Sequence, residues 1–232
     1  MARVRDSFDM KLKTDMKKII STTAFALLLI FLSSCLTTLH PIFTPKDILY
    51  EPKLLGTWKK GSEGDKGPGV ITENGTAIIT NLAADNSIDL PEKISAIKQK
   101  GYLVSYEDKD HNTTEQYIAF LARIGKHLYF DYYPADKKED RKIDEFFGAH
   151  FVKMHTSFRV EILNDGSFEL SQLDGSYVKS LIDEKKIRIS HETDADDNTT
   201  ITASTKELQQ YLLKYGDEPS AYRSDKTIFK KK

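Results

Sequence analysis

The stretch from Glu115 to Tyr133 constrains the fold more than any other part of the chain. Tyr117, Ile118, Ala119, Phe120, Leu121 and Ala122 are apolar at successive positions. A strand of that kind has no solvent face, so it belongs near the centre of a sheet and is covered on both sides. Gly125-Lys126 reads as a turn. The next seven residues alternate, with Leu128, Phe130 and Tyr132 on one face and His127, Tyr129, Asp131 and Tyr133 on the other. The pair predicts an antiparallel hairpin.

Similar signals recur along the chain. Leu54-Leu55-Gly56-Thr57-Trp58 reads as the first strand and carries the only tryptophan. Asn74-Gly75 joins two short β-prone runs, and Tyr102 to Tyr106 alternates again. His150 to Leu163 gives one long or two short strands. Asn164-Asp165-Gly166 is a turn, and Ser167 to Gln172 pairs back. Ile187 to Ser190 and Thr199 to Ala203 predict a further hairpin around an acidic loop. Helices are expected after Asp89, over 137–147, after Asp174, and after the capping box Ser204-Thr205-Lys206-Glu207. Leu208, Tyr211, Leu212 and Tyr215 follow that box at helical spacing.

About ten short strands in hairpins and about four helices predict an α+β, β-rich fold. The antiparallel sheet is expected to curl into a barrel or half-barrel with peripheral helices, as one domain over 54–216. Gly56-x-Trp58 on the first strand resembles lipocalin-like proteins, where such a tryptophan plugs one end. That resemblance implies a small apolar ligand inside the barrel, with Trp58 against it. The helices depart from a plain lipocalin, so closure and cavity stay open. The alternative is a protein–protein interaction or assembly module without a ligand cavity.

Before this domain, Lys17 and Lys18 precede Ile19 to Leu32, a run without a charge. Its roughly 14 residues suit a secretion signal and fall short of the ~20 needed to span a bilayer. Leu32-Ser33-Ser34-Cys35 closes it and resembles the lipobox of bacterial lipoproteins. The resemblance implies a signal peptide over 1–34, recognition through Leu32, Ser33 and Ser34, and acylation of Cys35. The partner would be a lipid bilayer. Leu36, standing where an aspartate would signal inner-membrane retention, implies the outer membrane of the cell envelope. Met16 or Met10 makes a more ordinary signal-peptide start than Met1, because Asp6, Asp9 and Asp15 precede Lys17. Residues 35–53, broken by Pro41, Pro45 and Pro52, read as a lipidated tether, and 217–232 as a polar, loosely ordered tail.

The charge is −1 for the chain, and six basic against three acidic residues give the first 34 positions +3. The remainder is therefore at −4, which argues against non-specific nucleic-acid binding. Cys35 is the only cysteine, so lipidation leaves no disulfide, thiol nucleophile or thiolate ligand. No Gly-x-Ser-x-Gly or His-Glu-x-x-His motif occurs. No enzyme activity, cofactor or metal is expected. His150 and His155 fall on opposite strand faces, and Asp194, Asp196 and Asn198 imitate a calcium loop without its glycine and glutamate. The one constellation suited to a ligand is His127, Tyr129, Asp131 and Tyr133. It offers aromatic walls with a few polar groups if that face lines the barrel, and an amphipathic surface if it points outward.

Overall fold

The computed structural model describes residues 35–60, 75–108, 113–135, 152–195 and 198–232. In chain order its strands are β1 (Thr37–Thr38), β2 (Ile48–Leu49), β3 (Gly56–Lys60), β4 (Thr76–Asn81), β5 (Gly101–Asp108), β6 (Thr113–Ile124), β7 (His127–Pro134), β8 (His155–Ile162), β9 (Phe168–Leu173), β10 (His191–Thr193), β11 (Thr199–Ile201) and β12 (Tyr222–Lys231). Among the described residues three α-helices accompany them: α1 (Glu92–Ser95), α2 (Gly175–Asp183) and α3 (Thr205–Tyr215). From β3 to β9 the strands pair antiparallel as a meander. β12 pairs with both β9 and β3 and so closes an eight-stranded antiparallel barrel.

Pleat alternation sends every second residue of these strands inward. Trp58, Ala77, Ile79, Tyr102, Val104, Tyr106, Ala119, Leu121, Phe130, Tyr132, Phe158, Val160, Phe168, Leu170 and Phe229 form one buried cluster drawn from all eight strands. Outside the barrel lie two more. Leu36, Ile42, Ile124 and Tyr129 pack with α2, α3 and Tyr222. Phe43, Ile48, Leu82, Ile88 and Leu103 pack with Ile118, Phe120 and Ala122. β6 is apolar on both faces because one face lines the barrel and the other lies beneath these outer layers.

Local signals account for several boundaries. Gly125, between β6 and β7, and Gly166, between β8 and β9, have φ of 59° and 84°, a region that costs glycine little. Asp174 accepts from the amides of Ser176 and Tyr177 to cap α2. The capping box of α3 is complete between Ser204 and Glu207. α1, by contrast, is only one turn, capped by no side chain and preceded by Pro91 as N-cap, so Asp89 does not start it. The late hairpin is β10–β11, a few residues beyond the expected first strand. The expected Asn74 turn residue and the 137–147 helix lie outside the described residues.

Two boundary expectations are corrected. Residues 35–53 are not a tether but a strap on the barrel. β1 pairs with β8 and β11, β2 pairs with β6, and Leu36, Ile42, Phe43 and Ile48 are buried. Prolines interrupt regular pairing but not burial, and each apolar residue meets a different element, so no period is visible. The 217–232 stretch is not a loose tail either, since it supplies β12. Thr227 and Phe229 face the interior, while charged neighbours face outward and make the segment look polar. The compact unit holding all of this runs from Cys35 to Lys232.

Candidate functional site

Eight strands enclose an interior just wide enough to be filled by side chains or to hold one small ligand. Here aromatic rings follow one another across it. Trp58 meets Phe168 edge-on at 4.8 Å, and Phe168 stacks on Phe229 at 4.9 Å. Tyr102, Phe130, Tyr132 and Phe158 continue the series at 5.5, 5.7 and 5.1 Å between successive centroids. Trp58 thus sits among core rings, and its indole N–H donates to the Leu54 carbonyl at 2.9 Å. The Tyr106 and Tyr132 hydroxyls pair at 3.1 Å. Burial pushes both phenols well above the usual tyrosine range. Gln172 and Thr227, in register with Phe158 and Leu170, carry buried Oε1 and Oγ1 atoms with no hydrogen-bond partner among the described residues.

The row His127, Tyr129, Asp131 and Tyr133 points away from that interior. Phe130 and Tyr132 take the inward positions of β7, so the row faces the outer layers. The expected ligand lining is corrected to that extent: these four side chains do not line the barrel. His127 Nε2 lies 2.8 Å from Asp217 Oδ1, which also receives Lys126 at 2.9 Å. The Tyr129 hydroxyl is 3.0 Å from that of Tyr222 beneath α3. Burial raises its pKa, with the Tyr222 neighbour adding to the effect. The Tyr133 ring lies 4.9 Å from the ring of His155.

Asp131 is the centre of a polar cluster that no sequence motif marks. It is 1 % exposed. Its Oδ1 accepts from His155 Nδ1 at 2.5 Å, and its Oδ2 accepts the Ile42 amide at 3.0 Å and the Ser157 hydroxyl at 3.4 Å. Aspartate, histidine and serine are present, but the serine hydroxyl bonds to the carboxylate. A nucleophile relay needs the histidine between them. The arrangement therefore holds the strap to the barrel wall and activates no hydroxyl. The signal for it was a lone aspartate in an otherwise aromatic strand. Its partners lie on β8 and the strap, far away in sequence.

Cys35 is the first residue of the compact unit and is exposed. It forms an isolated bridge with Asp174, and Leu36 N donates to the Leu173 carbonyl at 3.3 Å. Arg223 Nη1 lies 3.7 Å from its sulfur. The Leu32, Ser33 and Ser34 positions fall outside the described residues. Among the described residues, no group of three histidine, cysteine or carboxylate side chains is placed to hold a metal ion. Asp194 instead accepts the amide and side chain of Asn198. No protein-family model, curated protein or solved structure matches the chain.

Proposed function

We propose that this is a lipid-anchored protein of the bacterial cell envelope, held through acylated Cys35 at the outer membrane. It works through the outside of a ring-filled barrel, as an interaction or assembly module, and not by carrying a ligand within it. The observation that carries the reading is the position of Cys35. The exposed cysteine stands at the first residue of the compact unit and directly follows Leu32-Ser33-Ser34. A cleavage before Cys35 removes nothing from the described cores, all of whose residues lie at or beyond Leu36. The aromatic packing around Trp58 supports the second half of the reading, because a carrier needs space where these rings stand. With two or more acyl chains, at ~0.8 kcal/mol per buried methylene, the attachment is stable.

The test is palmitate labelling and membrane fractionation of the full chain beside Cys35→Ala. The wild type is expected to label and sediment with membranes, and the variant to do neither. Labelling that survives the substitution overturns the anchor. Native mass spectrometry of the purified protein addresses the barrel. A stoichiometric retained small molecule, lost on Trp58 or Phe168 substitution, would replace the interaction reading with a carrier.

A further inference from the structure

A groove of about 220 Å³ opens beside α3, lined on one side by Lys186, Ile187, Arg188 and Ile189 and on the other by Tyr211, Lys214 and Tyr215. Its chemistry is mixed in a particular way. Lys186, Arg188 and Lys214 bring three cations to an isoleucine and tyrosine wall. Lys214 Nζ lies 4.9 Å above the Tyr215 ring, and Arg188 is exposed. The carboxylate at the rim, Glu207, is turned to its own helix and accepts from the Ser204 amide and hydroxyl. Lys186 is 2.6 Å from Glu184, so one cation is partly offset. Tyr211 lines the groove, and its hydroxyl is buried with no hydrogen-bond partner among the described residues.

Cys35 and the groove lie toward opposite ends of α2. Asp174, the bridge partner of Cys35, caps α2, whose nine residues span about 13 Å. α2 ends at Asp183, and at Lys185, which has φ of 57°, the chain turns to run along the groove through Lys186 and Arg188. Tyr211 lines the groove and is within electrostatic range of Asp174. Burial first, and then Tyr177, Tyr222 and Asp174, push its hydroxyl above the usual range. The strap leaves no slack between Cys35 and the barrel, since Leu36 is buried and bonded to β9. An anchor of zero length holds this side of the domain within reach of lipid headgroups.

We infer that the groove is a second membrane contact, seating the anionic phosphate headgroup of a phospholipid about one α2 length from the Cys35 anchor. This rests on the lipid-anchored reading and adds an orientation to it. Cations and tyrosines suit the headgroup layer, where each Lys or Arg near an anionic surface contributes about 1 kcal/mol. A domain with net charge −4 would otherwise be repelled by that surface, so the local sign of the groove decides the approach.

The chain from residue 35 onward contains every described core cluster, so it is tested with Cys35→Ser and no lipid attached. It is mixed at low salt with phosphatidylcholine vesicles and with vesicles also containing phosphatidylglycerol. Sedimentation with the anionic vesicles only is expected, falling about fivefold for each of Arg188→Ala and Lys214→Ala, the equivalent of about 1 kcal/mol. Lys100→Ala, ahead of β5, is expected to change nothing. Equal loss from Lys100→Ala, or equal binding to neutral vesicles, overturns the site. Full inhibition by soluble glycerol phosphate at concentrations too low to screen charge reassigns the groove to a free phosphate ester. Capture of an acidic peptide without any vesicle preference reassigns it to a protein partner. Both of these outcomes overturn the headgroup seat. If vesicle binding fails while palmitate labelling of the full chain persists, the groove inference falls alone. If labelling fails while vesicle binding persists, the anchor falls and the groove stands.

Discussion

The Oδ2 atom of Asp131 accepts the amide of Ile42 at 3.0 Å, across 89 residues of chain. This contact joins the wall of the barrel to the strap that begins at Cys35, beside the pairings of β1 with β8 and β2 with β6. It lies under α3, from which Gln209 Nε2 donates to the Ile42 carbonyl at 3.0 Å and to Asp47 at 2.9 Å. Thr205 Oγ1 donates to the Pro41 carbonyl at 2.8 Å. The strap is thus held from both sides, and its position decides whether the cysteine stands against the domain or swings away from it.

Asp131→Ala leaves the His155 Nδ1, the Ile42 amide and the Ser157 hydroxyl without their buried acceptor. Breaking a buried charged partnership costs about 3–5 kcal/mol. A fall of that order in urea-unfolding free energy is expected, together with faster proteolysis within residues 36–50. An unchanged midpoint and an equally resistant strap would show that α3 and the strand pairings of β1 and β2 hold it without Asp131.

Asp47 links the strap to acid stability. Burial alone would raise its pKa, but the hydroxyl and amide of Thr44, the Gln209 amide and the Lys46 charge together hold it below the usual carboxylate value. A depressed folded pKa contributes stability that is present above the unfolded value of about 3.9 and is lost as pH falls through the folded one. The unfolding midpoint of the wild type is expected to drop between about pH 5 and pH 2 more steeply than that of Asp47→Asn. Parallel curves for the two proteins would remove Asp47 from the acid response.

At the other end of the scale, buried phenols resist ionisation. Burial pushes Tyr102 up to about 12, and the Glu51 amide, which donates to its hydroxyl at 2.6 Å, only partly offsets this. Tyr117 and Tyr211 are raised by burial as well. A raised folded pKa means that the stabilisation is complete below the unfolded value of about 10 and is lost as pH rises through the folded one. Phenolate absorbance is expected to rise in two stages. Exposed tyrosines titrate near pH 10, and the buried set appears together with loss of circular dichroism above about pH 11–12. A single smooth titration with the fold intact would contradict the packing described for the interior.

Closure depends on the last strand. Phe229 pairs in register with Phe168 on one side and Lys60 on the other, and it is 1 % exposed. Phe229→Ala is expected to cost about 3–5 kcal/mol by thermal or urea unfolding. Ending the chain after Gly216 exposes the edges of β3 and β9 and removes part of the lining. That truncation is expected to abolish cooperative unfolding and to promote aggregation. A soluble, cooperatively folding truncation would mean the barrel does not need β12.

The β6–β7 hairpin was legible because its information is local. The turn at Gly125 and the alternation of Leu128, Phe130 and Tyr132 involve neighbours in sequence. The same holds for the caps at Asp174 and Ser204, where a side chain meets an amide two or three residues on. The strap was misread because Ile42, Phe43 and Ile48 bury against Asp131, Phe120 and Ala122, partners that no period along 35–53 encodes. β12 was misread for a related reason: the exposed Lys226, Lys230 and Lys231 mask the inward-facing Thr227 and Phe229. The His127–Tyr133 row was found as a row, but a strand pattern gives two faces without saying which is inside.

By itself, the amino-acid order determined the β-rich antiparallel class, most turns and caps, and the exclusion of disulfide chemistry, since these follow from neighbouring residues and from a count of cysteines. Only the tertiary structure decided that the meander closes, that Phe130 and Tyr132 fill the barrel while Asp131 clasps the strap, and that Cys35 stands against the fold. Those outcomes depend on the registry of β12 between β9 and β3 and on contacts across 89 residues. Such partners are selected by the free energy of burying whole faces together, and no local stretch contains it.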